Sequence, residues 1–413
     1  MRFIAIILFF FISFIHIFSQ DNNSAPLFKK KSTVKEYKVY YKAGNYSKAY
    51  DILQSAFAKF PVANNDPDLW FMAMNAKYQL YLEENKKIFL KNNADTTKFF
   101  TYIYDSYTCG LKSDSLVELY IIKEKQKHAI STEINEKLYS LRSNLLSGGK
   151  YFLKHKKYYD AFKYFDIYLS TRQIGRDDKT KFRYSVVDSD SVYVSKLAVH
   201  SAYGCQKYSD VMKYLNIAVS DTTRRDVLLE IGAKSAIQIK DSLKYLELLI
   251  DGFENYPQND YFKANLIQFY HNNGNYYNSI DIIDRCIVSD SLNVKYWKLK
   301  GGELRSIGDV ESALIVYLHV MDLDPYDYET ASIIGNLYLD KAHSFFELSN
   351  LDMNSPSYRE NRNVLINLYI LAQKYFEVAL QLQPLKPELW KDGLFEIYLK
   401  LNKGDELRKI ESM

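Results

Sequence analysis

Residues of matched character recur 34 positions apart through the middle of this 413-residue chain. Val211, Tyr245, Ser279 and Ala313 form one such column, and Leu215, Leu249, Ile283 and Tyr317 a second. Ala218, Gly252, Cys286 and Val320 keep the same step, as do Ala233, Ile267, Gly301 and Gly335, then Ala236, Tyr270, Leu304 and Tyr338. Pro257 and Pro325 are two steps apart. A fixed period of this size means stacked supersecondary units, each unable to bury its apolar face without a neighbour. A chain of this length would otherwise divide into two or three separate cores. Only 15 Gly and 8 Pro argue against a turn-rich β architecture and against long disordered linkers.

One half-unit shows what the period requires. In GNYSKAYDILQSAFAKFP, residues 44–61, Ala49 and Ala56 are small where helices must approach closely, and Tyr46 and Leu53 fill the space beside them. Gly44 makes the turn into the helix. Pro61 ends it, because proline lacks the amide needed to continue and restricts the residue before it. The clearest complete unit is VKYWKLKGGELRSIGDVESALIVYLHVMDLDP, residues 294–325. Trp297 and Gly301 lie on its first helix, Gly308–Asp309 form the turn, and Ala313 and Tyr317 mark a second helix that stops at Pro325. This order resembles the tetratricopeptide repeat, W-x2-L-G-x2-Y followed by A-x3-F and P. Lys300 replaces the usual Leu and Leu304 the usual Tyr. The resemblance implies an all-α protein, a right-handed α-solenoid of stacked antiparallel helix pairs.

Along the chain, the first unit covers 30–63, and 64–141 reads as two degenerate helix pairs that are off phase. A good unit fills 142–175, with Gly149, Phe152, Tyr158, Ala161 and Phe165 in order. The polar segment 176–191 reads as a loop insertion, and four units run in phase over 192–327. The unit 328–386 begins correctly with Gly335 and Tyr338. Its second helix, marked by Ala372, Phe376, Ala379 and Pro384, arrives 25 residues late. Residues 343–367 therefore predict a helical arm with a turn at Asn354–Pro356. A last helix pair over 387–413 caps the array.

The N-terminus MRFIAIILFFFISFIHIFSQ places Arg2 before an apolar run from Phe3 to Phe18, with Ser19 as a small residue before the cut. It resembles a secretory signal peptide over 1–19. That predicts a periplasmic or secreted protein. An uncleaved N-terminal anchor in the inner membrane, facing the periplasm, is the alternative. Lys29, Lys30 and Lys31 on the exported side disfavour the anchor. No cysteine near the cut supports a lipoprotein. Cys109, Cys205 and Cys286 are too far apart for a zinc pattern and read as small buried residues.

Chemistry is absent from the pattern. Seven histidines are scattered without ligand spacing. SGGKY at 147–151 lacks the remainder of a phosphate-binding loop, and DSDS at 188–191 lacks calcium-loop spacing. The expectation is a non-enzyme with no cofactor and no metal. Charges of 54 basic against 50 acidic residues oppose a nucleic-acid binder, whose basic residues gather on one face. The resemblance implies instead that the first helices of successive units line a concave groove that holds a partner peptide or helix. Carried onto this sequence, its inward positions are His200, Lys234, Tyr261, Gln268, His271, Lys298, Arg305, Tyr328, Asn336 and Asp340. Lys298 and Arg305 stand two helical turns apart and are placed to hold a partner carboxylate. Gly302 occupies the place where the family's C-terminal carboxylate clamp needs Asn, so that activity is not supported. The predicted role is a scaffold for other cell-envelope proteins, with an anchored sensor or assembly module as the alternative. Neither partner identity nor oligomeric state is written in the pattern.

Overall fold

The computed structural model describes residues 28–119, 124–171, 189–349 and 355–413. The signal-peptide reading of 1–19, most of the 176–191 loop and residues 350–354 of the arm lie outside them. Among the described residues there is no strand. The chain divides into two compact units, residues 1–223 and 224–413.

In the first unit α1 (Lys30–Lys42) and α2 (Tyr46–Lys59) form a hairpin. They are followed by α3 (Pro67–Phe89), α4 (Thr96–Leu119), α5 (Glu124–Lys154), α6 (Tyr158–Ser170), α7 (Ser189–Gly204) and α8 (Tyr208–Ala218). Each helix packs on the next in chain order. Gly44 takes φ +75° in the turn before α2, a left-handed conformation that favours glycine. Ala49 and Leu53 are fully buried at the hairpin crossing. Phe60, forced into extended backbone before Pro61, ends α2. Residues 64–141 hold α3, α4 and the start of α5. That helix runs unbroken across 141–142, and α7 already begins at Ser189.

In the second unit the repeat is visible in the helices themselves. It comprises α9 (Arg225–Gln238), α10 (Ser242–Asn255), α11 (Asp260–Asn272), α12 (Tyr276–Ser289), α13 (Val294–Ile307) and α14 (Val310–Leu323). The second helices begin at 242, 276 and 310, one period apart. Asp241, Asn259, Asn293, Asp309 and Asp327 each accept a backbone N–H at a helix start. Such caps contribute about 1 kcal/mol apiece. They explain why short helices of modest propensity start where they do.

Two longer helices follow, α15 (Tyr328–Leu348) and α16 (Tyr358–Leu382), and then α17 (Lys391–Lys400) and α18 (Gly404–Ser412). Among the described residues, much of the 25-residue delay read from sequence falls in the added length of α15 and α16. The base of this long hairpin is packed, with Leu339, Ala342 and Tyr369 in one cluster with Phe376, Leu394 and Ile397. Trp390, 1% exposed, closes the apolar end and donates its indole N–H to the Gln383 carbonyl at 3.0 Å.

Candidate functional site

Within the second unit, α11 and α13 border a cleft of about 770 Å³ whose floor and rims carry both charges and amides. Gln268 and His271 enter from α11, and Lys298 from α13. These are three of the ten positions expected from sequence to face a groove. Ala264, Ile267 and Leu299 supply its apolar surface, and Gly302 leaves the α13 wall low. A Cβ on Gly302 would find its nearest neighbour 3.9 Å away at the Tyr317 hydroxyl, so the space above it is open.

The cleft has a buried carboxylate that sequence reasoning missed. Glu303 is 4% exposed. Its Oε1 accepts from the Ser279 hydroxyl at 3.0 Å and lies 3.1 Å from His271 Nδ1. Both carboxylate oxygens lie within 3.2 Å of Nδ1, so the contact sets the orientation of the imidazole ring. The signal was present in the 34-residue column: Glu303 stands between Phe269 and Leu337, where a core residue is the rule. A charge there must be paired, because burying it alone is costly. Ser279, the small residue at the helix crossing, provides part of that pairing.

Lys298 does not wait for a partner's carboxylate. Its Nζ lies 2.8 Å from Asp327 and 3.2 Å from Glu329. Burial pushes the Asp327 carboxyl up, but Lys298 and the Thr330 N–H outweigh it and hold the group below its usual range. Arg305 is exposed beyond the cleft, beside Tyr317, where it partly offsets the rise that burial imposes on that phenol. Lys298 adds a weaker pull of the same sign on that phenol.

The other expected residues are distributed. His200 is exposed on α7 in the first unit. Lys234 on α9 bonds Glu230 at 3.1 Å and sits 4.7 Å over the Tyr261 ring. Tyr328, at the start of α15, is covered in the same manner by Lys386 at 4.7 Å. Asn336 donates to the Ser332 carbonyl one turn back, and Asp340 is exposed on the same helix. Asn272 and Lys295, both exposed and lining the cleft, were not anticipated. Asn272 lies one turn from Gln268, and neither amide has a hydrogen-bond partner among the described residues. No group of three or more His, Cys, Asp or Glu side chains that could hold a metal occurs among them.

The 34-residue helix starts, the capped hairpins and the glycine–aromatic contacts at Gly149–Phe165 and Gly301–Tyr317 decide the architecture. The chain is a TPR-like helical-repeat protein. No family model matches it, and no curated protein does. Among solved structures it is similar to a TPR repeats protein from Bacteroides fragilis, at 16% identity over 63% of this chain and 98% of that one, with a TM-score of 0.30. The C-terminal part of a TPR repeat-containing protein from Cytophaga hutchinsonii is similar at 14% identity, over 63% and 89%, with a TM-score of 0.38. The TPR2AB domain of yeast Sti1, solved with an HSP90 peptide, is similar at 10% identity over 66% and 96%, with a TM-score of 0.24. The repeat architecture of this chain rests on its own helix pairs.

Proposed function

We propose that this protein is a non-catalytic scaffold that holds an extended segment of a partner protein in the α11–α13 cleft. The observation that carries the reading is the pair Gln268 and Asn272. They stand one turn apart on an exposed face, with no partner among the described residues. A carboxamide donates and accepts at once, which matches the alternating N–H and C=O of a peptide backbone. The low wall at Gly302 leaves room for that backbone, and Ala264, Ile267 and Leu299 give its side chains an apolar bed. Lys298 is already ion-paired and Glu303 already hydrogen-bonded within the protein, so the cleft selects for shape and backbone rather than for either of these charges. The apolar N-terminus supports export, with the cell envelope as the place of work. A photo-crosslinking residue at 268 or 272, with a control at the exposed Asp281 on α12, tests the reading. A discrete adduct from the cleft positions alone is expected. Equal labelling from all three positions overturns it.

A further inference from the structure

In the first unit, α1 carries a one-sided charge. Lys31, Lys35, Lys38 and Lys42 recur at helical spacing and fall within roughly 60° of the helix circumference. They form a stripe roughly 16 Å long. All four are exposed, and with Val34 and Val39 they line a shallow trough of about 410 Å³. None has an ion-pair partner among the described residues. Lys30, one position before the stripe, has two, Asp66 at 2.7 Å and Asp68 at 2.8 Å. Several lysines elsewhere are also matched, as at Lys77–Asp105, Lys213–Asp166 and Lys300–Asp284. The single acid of the helix, Glu36, lies off the stripe.

The opposite face fixes the helix in place. Tyr37 is 4% exposed and donates its hydroxyl to the Met72 carbonyl at 2.9 Å. The lysine face is therefore presented on a rigid support. The 27 residues outside the described region end at its start, and sixteen of them, Phe3 to Phe18, are the apolar run. Ten residues, Ser19 to Phe28, separate that run from Lys29. Fully extended they reach about 35 Å, so in the anchored alternative, with the apolar run in a bilayer, α1 is held close to that bilayer's surface.

We propose that the Lys31–Lys42 face of α1 docks on an anionic phospholipid surface, the ammonium groups contacting headgroup phosphates and Val34 and Val39 resting at the interface. This inference is independent of the cleft. Each lysine brought to an anionic surface contributes roughly fivefold to partitioning, and salt screens the effect.

The test compares the full chain with K31Q/K35Q/K38Q/K42Q and with the charge-matched K112Q/K154Q/K374Q/K409Q, all confirmed as folded by circular dichroism. Flotation is measured with vesicles of phosphatidylcholine alone or mixed equally with phosphatidylglycerol, in low and high salt. The readout is the ratio of anionic to neutral binding, which cancels any contribution of the apolar run. The expected result is a high ratio for the natural chain and the charge-matched variant, at least roughly tenfold lower for the stripe variant, and a loss of the difference in high salt. Equal ratios for the two variants, or no anionic preference in the natural chain, overturn the proposal. So does binding of the stripe to a soluble acidic polypeptide that leaves vesicles unbound.

Discussion

Gly335 and Phe376 are 41 residues apart in the chain, yet a Cβ on Gly335 would lie 2.9 Å from three atoms of the Phe376 ring. The same contact joins Gly301 to Tyr317 at 2.7 Å and Gly149 to Phe165 at 2.4 Å, each across only sixteen residues. The hairpin lengthened by 25 residues thus preserves the glycine–aromatic seat of the ordinary unit. Phe376 is gripped from both sides, since a Cβ on Gly393 would stand 2.4 Å from its Cζ.

These seats predict a contrast between neighbouring glycines. G301A, G335A and G393A each force an aromatic ring to move in a packed core, and each is expected to cost about 1–3 kcal/mol. G302A, one residue from Gly301, meets nothing closer than 3.9 Å. It gains helix propensity of up to about 1 kcal/mol. Urea midpoints of the four variants check this. A G302A loss equal to that of G301A would mean that helix backbone, not ring contact, sets the cost.

The same contacts show how far the sequence could be read. Glycine, alanine and aromatic residues at a fixed phase reveal the hairpins, because close helix approach leaves few side chains able to stand at the crossing. The delay before Phe376 was legible for the same reason. The cleft was half legible: Gln268, His271 and Lys298 sit in it, since their phase fixes the face on which they stand. What each side chain does there was not. Asp327 and Glu329 take Lys298 from the next helix start, and Ser279 and His271 hold Glu303 across helices. Pairings of that kind depend on rotamers and on which capping residue reaches across a loop, neither of which has a period.

Asp327 makes stability pH-dependent. Its pKa is lowered in the folded state, so its contribution is present above the unfolded value of about 3.9 and is lost as pH falls through the folded one. K298M removes the cation and leaves a carboxylate whose side chain is 9% exposed. The variant is expected to lose about 1–3 kcal/mol at pH 7. That deficit should shrink as the pH falls through the lowered folded pKa of Asp327, where the carboxyl takes up its proton in the natural chain as well. Thermal melts of both chains across this range decide it. A deficit constant with pH would assign the loss to packing of the lysine stem.

Glu303 predicts a separation of stability from local order. Leucine fits a column that holds Phe269 and Leu337, and exchanging a buried charge for an apolar side chain is often neutral or stabilising. E303L is expected to unfold within about 1 kcal/mol of the natural chain. It also removes the carboxylate that orients His271, so the ring-nitrogen signals of His271 seen by nitrogen-15 NMR should shift. A large destabilisation by E303L would mean that Ser279 cannot be left without its acceptor.

The three thiols are predicted to differ in reactivity by burial alone. Cys109 is 3% exposed, and burial pushes its thiol up to about 12. Cys286 is 2% exposed and also raised by burial. Cys205 is half-buried, with burial again the largest cause of its rise, opposed by the Lys207 amide and ammonium. Alkylation proceeds through the thiolate, so both the small ionised fraction and the closed packing protect Cys109 and Cys286. Iodoacetamide at neutral pH should modify Cys205 first, with the other two reacting only after urea opens the fold. Peptide mass spectrometry over time reads the order. Early labelling of Cys109 would mean that the α3–α4 packing around it opens on the timescale of the reaction, well before the rest of the first unit.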